Sequence, residues 1–360
     1  MASAPHSPLP VQLTTARPTV DGDHTGTHLG RAARRGELVR LHRGIYTDAE
    51  RWSDAPPWER STIATVAAAH RSPPPVFCRE SALLLHGVSL LEPPRDVTVR
   101  TRRSPEAGVR RPAATFRRDV PPPHPLRHHE APLPAGMSRP ERRDALIRGD
   151  RGLEQTVLPP DAVPWCPGPE EGLRVEPLPL ALLDTIPRMS RPAAVAALDS
   201  VARGSRLVDG PVGEEDLLAW DGFLRTKKAR RRWESCWAFA DADAESVGES
   251  VSRVLMDQWG LEPPQLQVRF VVDVDGGSRV RVDFHWPERG IVGEFDGLAK
   301  YQKPELLAGR RPEDVVVEEK LREDALRRLG LRVVRWVWAD LRHPTRLRDM
   351  LLAVGVPFRG

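Results

Sequence analysis

Four acids fall within Val280–Gly297, VRVDFHWPERGIVGEFDG: Glu288 in the turn, and three in runs otherwise rich in strand formers. Asp283 stands alone, while Glu294 and Asp296 sit two apart beside Gly293. Strand alternation puts Arg281, Asp283 and His285 on one face of the first run, and Val292, Glu294 and Asp296 on one face of the second. Folding the pair about Glu288 sets Asp283 opposite position 293 or 294, which makes Asp283 and Glu294 near neighbours. Carboxylates opposed in a sheet repel. A divalent cation removes that cost, and a hard ion such as Mg2+ (or Mn2+) is commonly held by one or two carboxylates plus substrate phosphate. It would polarise the phosphate and lower the pKa of a water for attack on a phosphodiester. The competing arrangement is a solvated sheet face whose acids pair with Arg279, Arg281 or Lys300.

The elements that must position these acids are legible from residue 244 to the C-terminus. ESVGESVSRVLMDQWG reads as a helix ending at Gly260, with prolines just beyond. PQLQVRFVVDV, a turn at Asp275–Gly277, RVRVDFHW, a turn at Pro287–Gly290 and IVGEFDG form an antiparallel meander. A second helix is expected over Val315–Leu329, with Val317, Leu321, Ala325 and Leu329 as its buried stripe. It stops at Gly330 before LRVVRWVWAD, an apolar strand whose Trp336 and Trp338 read as core, and a last helix covers Thr345–Ala353. The pattern predicts an α/β layer domain with its sheet partly covered on both sides.

This order resembles the PD-(D/E)XK nuclease superfamily, most closely its branch of uncharacterised domains similar to the very-short-patch-repair endonucleases. The resemblance is carried by GES at 248–250, GLEPPQLQ at 260–267, VDFHWPE at 282–288, GEFDG at 293–297 and EEKLREDALRRLGLRVVRWVWADL at 318–341. It implies a restriction-endonuclease-like fold in which Asp283 and Glu294 are the metal-binding acids and Glu249 reaches the site from the preceding helix. The superfamily's lysine normally stands two residues after the Glu, where this chain has Asp296, an acceptor without positive charge. Lys320, Lys300 and Arg322 are the candidates to supply that charge, with Lys320 slightly favoured over Lys300 and Asp296 as a further metal ligand. A decayed site that binds DNA or metal without cutting is the alternative.

A second set of candidates lies near the N-terminus. THLGRAARRGELVRLHRGIYTD, Thr27–Asp48, reads as a helix, a strand, a tight turn at Arg43–Gly44 and another strand. Thr27, Arg31, Arg34 and Arg35 fall on one helical face, with Arg40, His42 and Arg43 on the ribbon. A helix reading base edges beside a ribbon touching phosphates is the arrangement of a winged helix-turn-helix, and arginine suits both tasks. The alternative is a basic, solvated helix. The stretch resembles the winged-helix head of AbiEi-family antitoxins, and SALLLHGVSL, DVTVR and EPLPLALLDTI are similar to the segments that follow it. That resemblance implies a repressor of its own operon that neutralises a nucleotidyltransferase toxin. The motif's first helix is expected in VQLTTARPTVDGD, which has little apolar periodicity.

The remaining features bound the reading. At 360 residues, the chain has room for two or three domains. We expect a multidomain α+β (α/β) protein: a winged helix over 11–58, a mixed α/β middle region over 59–130 and 176–240, a Pro/Arg-rich irregular insertion over 131–175, and the nuclease-like domain over 244–360. HPLRHH at 124–129 reads as proline-rich chain rather than a metal site, and KKARRRW at 227–233 as a basic helix face. A net charge of +4 permits a nucleic-acid partner without requiring one. Three isolated cysteines, no apolar leader and no membrane-length apolar run point to a cytoplasmic protein without a membrane partner. No phosphate-loop or GxSxG motif is present. The expected function is that of a DNA-binding, metal-dependent nuclease in defence or DNA repair. The alternative is a non-catalytic, antitoxin-like regulator, whose partner is a cognate toxin or a second copy of the chain.

Overall fold

A computed structural model describes residues 9–16, 25–101, 104–112, 115–132, 141, 155–204, 212–218, 220–272, 278–297 and 312–359. The chain is a multidomain α+β protein with two compact units, Ser7–Met189 with Gly204–Ser235, and Ser190–Arg203 with Cys236–Gly360. Among the described residues no helix is long and apolar enough to cross a membrane.

The N-terminal unit opens with β1 (Thr14–Thr15), α1 (Thr25–Arg35), β2 (Leu38–His42) and β3 (Ile45–Asp48). The strands form an antiparallel sheet in the order β1-β3-β2. Residues 11–16, where the first helix of the motif was expected to begin, hold no helix, and Thr14–Thr15 pair with β3 instead; residues 17–23 of that stretch lie outside the described residues. Gly44 makes the turn with φ 77°, a conformation that favours glycine. Next come α2 (Ala49–Asp54), capped by Asp48 Oδ1 accepting from Arg51 N at 2.8 Å, α3 (Pro57–Ala69) and α4 (Arg79–Leu85). β4 (Val97–Thr101), β5 (Gly108–Arg110) and β6 (Leu126–Glu130) form a sheet in the order β4-β6-β5, with β4 parallel to β6.

Two sequence expectations fail here. HPLRHH enters strand β6 rather than irregular chain. LPPDAVPWCPGPEEG leads from β7 (Thr156–Leu158) into β8 (Leu173–Val175), and Leu158, Val163, Cys166 and Leu173 are buried with Ile63, Val97 and Val99 in one core. Burial of alternate apolar residues between prolines leaves no periodicity to read. The unit continues with α5 (Leu178–Thr185) and, after α6 (Arg191–Arg203) of the other unit, α7 (Glu214–Leu218) and most of α8 (Lys227–Trp237). A buried ion network ties β4 to α5. Arg100 Nη2 donates to Glu176 Oε2 at 3.0 Å and to Asp184 Oδ2 at 2.8 Å, and Arg79 Nε donates to the same Asp184 oxygen at 2.7 Å. Burial pushes the Asp184 carboxyl up, but the two guanidiniums more than offset it and hold it below its ordinary value.

In the C-terminal unit α6 packs on α9 (Val247–Gln258), with Arg253 Nη1 on Asp199 Oδ2 at 3.0 Å and Arg191 on Asp257 at 2.6 Å. β9 (Gln265–Val272), β10 (Ser278–Trp286) and β11 (Ile291–Asp296) form the antiparallel meander, and β12 (Arg332–Val337) adds parallel to β11. The turn read at Asp275–Gly277 lies outside the described residues. α10 (Pro312–Arg328) covers one face, where Ala325 and Leu326 meet Val280, Val282 and Val292. α9 covers the other face, where Ser252 Oγ accepts from Trp336 Nε1 at 2.8 Å. The expected stripe on α10 is corrected: Leu321 and Leu329 are exposed, and Ala325 and Leu326 face inward; the Val317 side chain lies outside the described residues. The last strand ends at Val337, so Trp338 begins α11 (Trp338–Arg342), ahead of α12 (Pro344–Val354).

Candidate functional site

The sheet register decides where the acids stand. Phe284 pairs with Gly293, which puts Asp283 level with Glu294. On the other side Val282 pairs with Val268 and Phe284 with Leu266, and the intervening Gln267 has φ 50°. A non-glycine residue in the left-handed region costs roughly 1–3 kcal/mol and persists only where its surroundings hold it.

Regular alternation breaks at this point. Val280 and Val282 join the core under α10, whereas Phe284 lies 5.0 Å from the Trp336 ring, on the α9 side. The expectation that Arg281, Asp283 and His285 share one face is therefore corrected. Arg281 binds Glu245 ahead of α9, with 2.6 Å between Nη2 and Oε2, and His285 packs edge-on against Phe270 under α10.

Asp283 sits at the crossover. Its Oδ2 accepts from Phe295 N at 2.8 Å, and Gln267 Nε2 lies 3.5 Å from Oδ1. The same Gln267 Nε2 donates to Glu249 Oε2 at 2.8 Å. Glu249 is buried near the start of α9, where Ser246 Oγ caps its backbone N–H and Glu249 Oε2 accepts from Glu245 N at 3.0 Å. Burial, and then the neighbouring Asp283 charge, push the Glu249 carboxyl up to about 7. Gly248 lets α9 approach this corner, since a Cβ there would come within 2.0 Å of the Phe295 ring.

Glu294 has different surroundings. Arg322 Nη2 on α10 lies 2.9 Å from its Oε1, and Arg335 Nη2, on its register partner, 2.8 Å from its Oε2. The cation beside Glu294 among the described residues thus includes Arg322, while Lys320 is exposed and Lys300 lies outside them. A guanidinium supplies permanent charge but not a transferable proton.

Among the described residues no three His, Cys, Asp or Glu side chains converge as a ready metal cage. Buried Glu249 and half-buried Asp283 nevertheless make an acid pair. Gln267 Oε1 beside them, and Asp296 Oδ1 at the end of β11, are buried without a hydrogen-bond partner. Oxygen donors of this kind suit a hard cation in part, with substrate or water completing its shell. Gln267 and Arg335 were missed in the sequence, because neither residue type signals a left-handed strand position or a parallel neighbour.

No protein-family model matches the chain. Over 161 residues it is 31% identical to an uncharacterised protein from each of two strains of Mycobacterium tuberculosis, a match covering 44% of this chain and 54% of each relative. The matched region thus spans about half the length of these relatives, whose names assign no activity.

In the N-terminal unit Thr27, Arg31 and Arg34 of α1 are exposed, as are Arg40 on β2 and Arg43 at the turn. Arg35 is engaged by Glu37 through two bonds of 2.6 and 2.9 Å. His42 turns inward to Ala64 O on α3 at 3.3 Å, and burial lowers it to about 4, so it anchors the ribbon as a neutral ring.

Proposed function

We propose that the chain binds DNA through α1 and the β2–β3 ribbon and carries a divalent-metal, nuclease-like site in its C-terminal unit. The observation that carries the second half is the Glu249–Gln267–Asp283 cluster: buried Glu249 and half-buried Asp283, bridged by a glutamine whose backbone is left-handed. Glu249, Asp283 and the Gln267 amide oxygen would hold Mg2+ or Mn2+, with Asp296 close in sequence to the Asp283–Phe295 bond. The ion supplies Lewis-acid activation of a phosphodiester. Arg322 and Arg335 add positive charge beside Glu294, which favours an approaching phosphate. The exposed Arg31, Arg34, Arg40 and Arg43, with Thr27, would neutralise and read DNA. The resemblance to very-short-patch-repair-like nucleases and to AbiEi-type antitoxin heads supports both halves.

A second reading rests on the same Arg322 and Arg335. By neutralising Glu294, they suit a decayed site, and the chain would then be an antitoxin-like regulator with a toxin or second-copy partner. The two readings part in one experiment. Plasmid, single-stranded DNA and RNA are incubated with the protein and Mg2+ or Mn2+, then with Asp283→Ala and Glu249→Ala. Cleavage abolished by either substitution is expected; cleavage that survives both sinks the site. Absence of cleavage, with salt-sensitive duplex binding reduced at least tenfold in Arg31→Ala/Arg34→Ala, selects the regulator.

A further inference from the structure

A second concentration of charge lies within the N-terminal unit, and it shares Arg40 and Arg43 with the ribbon proposed above to touch DNA. The ribbon turn, the end of α3, the end of β5 and the start of β6 enclose a groove of about 280 Å³. Five arginines from three separate stretches line it: Arg40, Arg43, Arg71, Arg110 and Arg111. No Asp or Glu lines it, and among the described residues none of the five is ion-paired with a carboxylate. Burial, and then the charge of Arg110, hold Arg71 below its ordinary value, so the guanidiniums repel one another across the groove. Such a convergence is unfavourable without an anion to complete it, and a guanidinium fork matches phosphate oxygens in pairs.

The other walls say what the anion is attached to. Leu41, Pro112 and Leu126 give the groove an apolar side, and His42 and His124 line it as rings that burial lowers to about 4, hence neutral. His124 Nε2 meets Ser61 Oγ at 3.2 Å while that hydroxyl is within donating distance of the Pro94 and Pro57 carbonyls. Nε2 therefore carries the ring proton, and Nδ1, buried without a partner, offers a lone pair. The phosphodiester backbone of a DNA duplex, which offers only acceptors, leaves that lone pair unmet, whereas a sugar hydroxyl or base N–H satisfies it. A duplex also presents a convex ridge, which suits an open surface better than a concavity of this volume.

We propose that this groove binds a nucleoside 5′-phosphate, its phosphates among the five arginines and its nucleoside against Leu41, Pro112, Leu126 and His124. The test is calorimetric titration of the full chain, without DNA, with AMP, GMP, ATP, GTP and inorganic phosphate in turn. A nucleotide is expected to bind at least tenfold tighter than inorganic phosphate. Arg71→Ala/Arg110→Ala is expected to weaken it at least tenfold, with the thermal midpoint tracked to confirm folding and Arg71→Lys/Arg110→Lys losing less. Neither arginine belongs to the proposed DNA surface, so failure here leaves the Arg31/Arg34 experiment standing, and the reverse. No binding of any nucleotide, equal affinity for inorganic phosphate, or affinity unchanged in a folded double alanine variant overturns the proposal. So does a short duplex that alone binds and loses affinity in that variant, which would make the groove part of a nucleic-acid surface.

Discussion

Gln267 marks the point where the site departs from regular alternation. With φ 50° it stands on β9 opposite Asp283, where β10 breaks alternation: Phe284 lies on the opposite face from Val282, and Gln267 bridges Asp283 to Glu249. The acids themselves were legible in the sequence as carboxylates among strand formers. Their partners were not, because strict alternation assigns Asp283 and Glu294 to one another and no residue type announces the break. The left-handed region costs a non-glycine residue about 1–2 kcal/mol. Comparing Gln267→Gly with Gln267→Ala separates backbone from side chain, since both lose the amide bonds to Glu249 and Asp283. Urea denaturation is expected to show the glycine variant more stable than the alanine variant by about 1 kcal/mol. Equal midpoints would mean the conformation relaxes once the amide is gone.

At the scale of elements, α10 illustrates why a periodic pattern can name a helix and miss its inward face. Residues four apart advance about 40° around a helix at each step, so Val317, Leu321, Ala325 and Leu329 drift about 120° and cannot all face one way. The sheet meets Ala325 and Leu326, and Arg322, one turn earlier, falls on the same side and reaches Glu294. The helix's rotation thus sets Arg322 beside Glu294 and leaves Lys320 exposed. Leu326→Ala, which empties a fully buried position, is expected to cost about 2–5 kcal/mol. Leu321→Ala, at a half-exposed one, is expected to cost less than about 0.5 kcal/mol. Thermal or chemical unfolding of the pair checks the orientation, and a reversal of that ranking would restore the stripe read from the spacing.

Across the whole molecule, local patterns located the helix–ribbon at the start and the helix–meander–helix–strand order at the end. What they could not show is long-range: α6 joins the C-terminal unit through Asp199 and Arg253, and the proline-rich stretch before β8 fills the N-terminal core. Histidines buried in that N-terminal unit give it a pH response. Burial lowers His42, His124 and His129 to about 4, with arginine charges acting in the same direction. In the unfolded chain they return to about 6.5. Between those values the unfolded state binds more protons than the folded one, so stability is fully present above pH 6.5 and is lost as pH falls toward 4. Glu176, pushed up by burial, opposes this slope, so the histidine part must be isolated. His42→Gln/His124→Gln does so, because both rings use Nε2, which a glutamine amide can replace without titrating. The wild-type urea midpoint is expected to fall more steeply from pH 6.5 to 4.5 than that of the double variant. Parallel profiles would show that these rings titrate in the folded unit as they do in water.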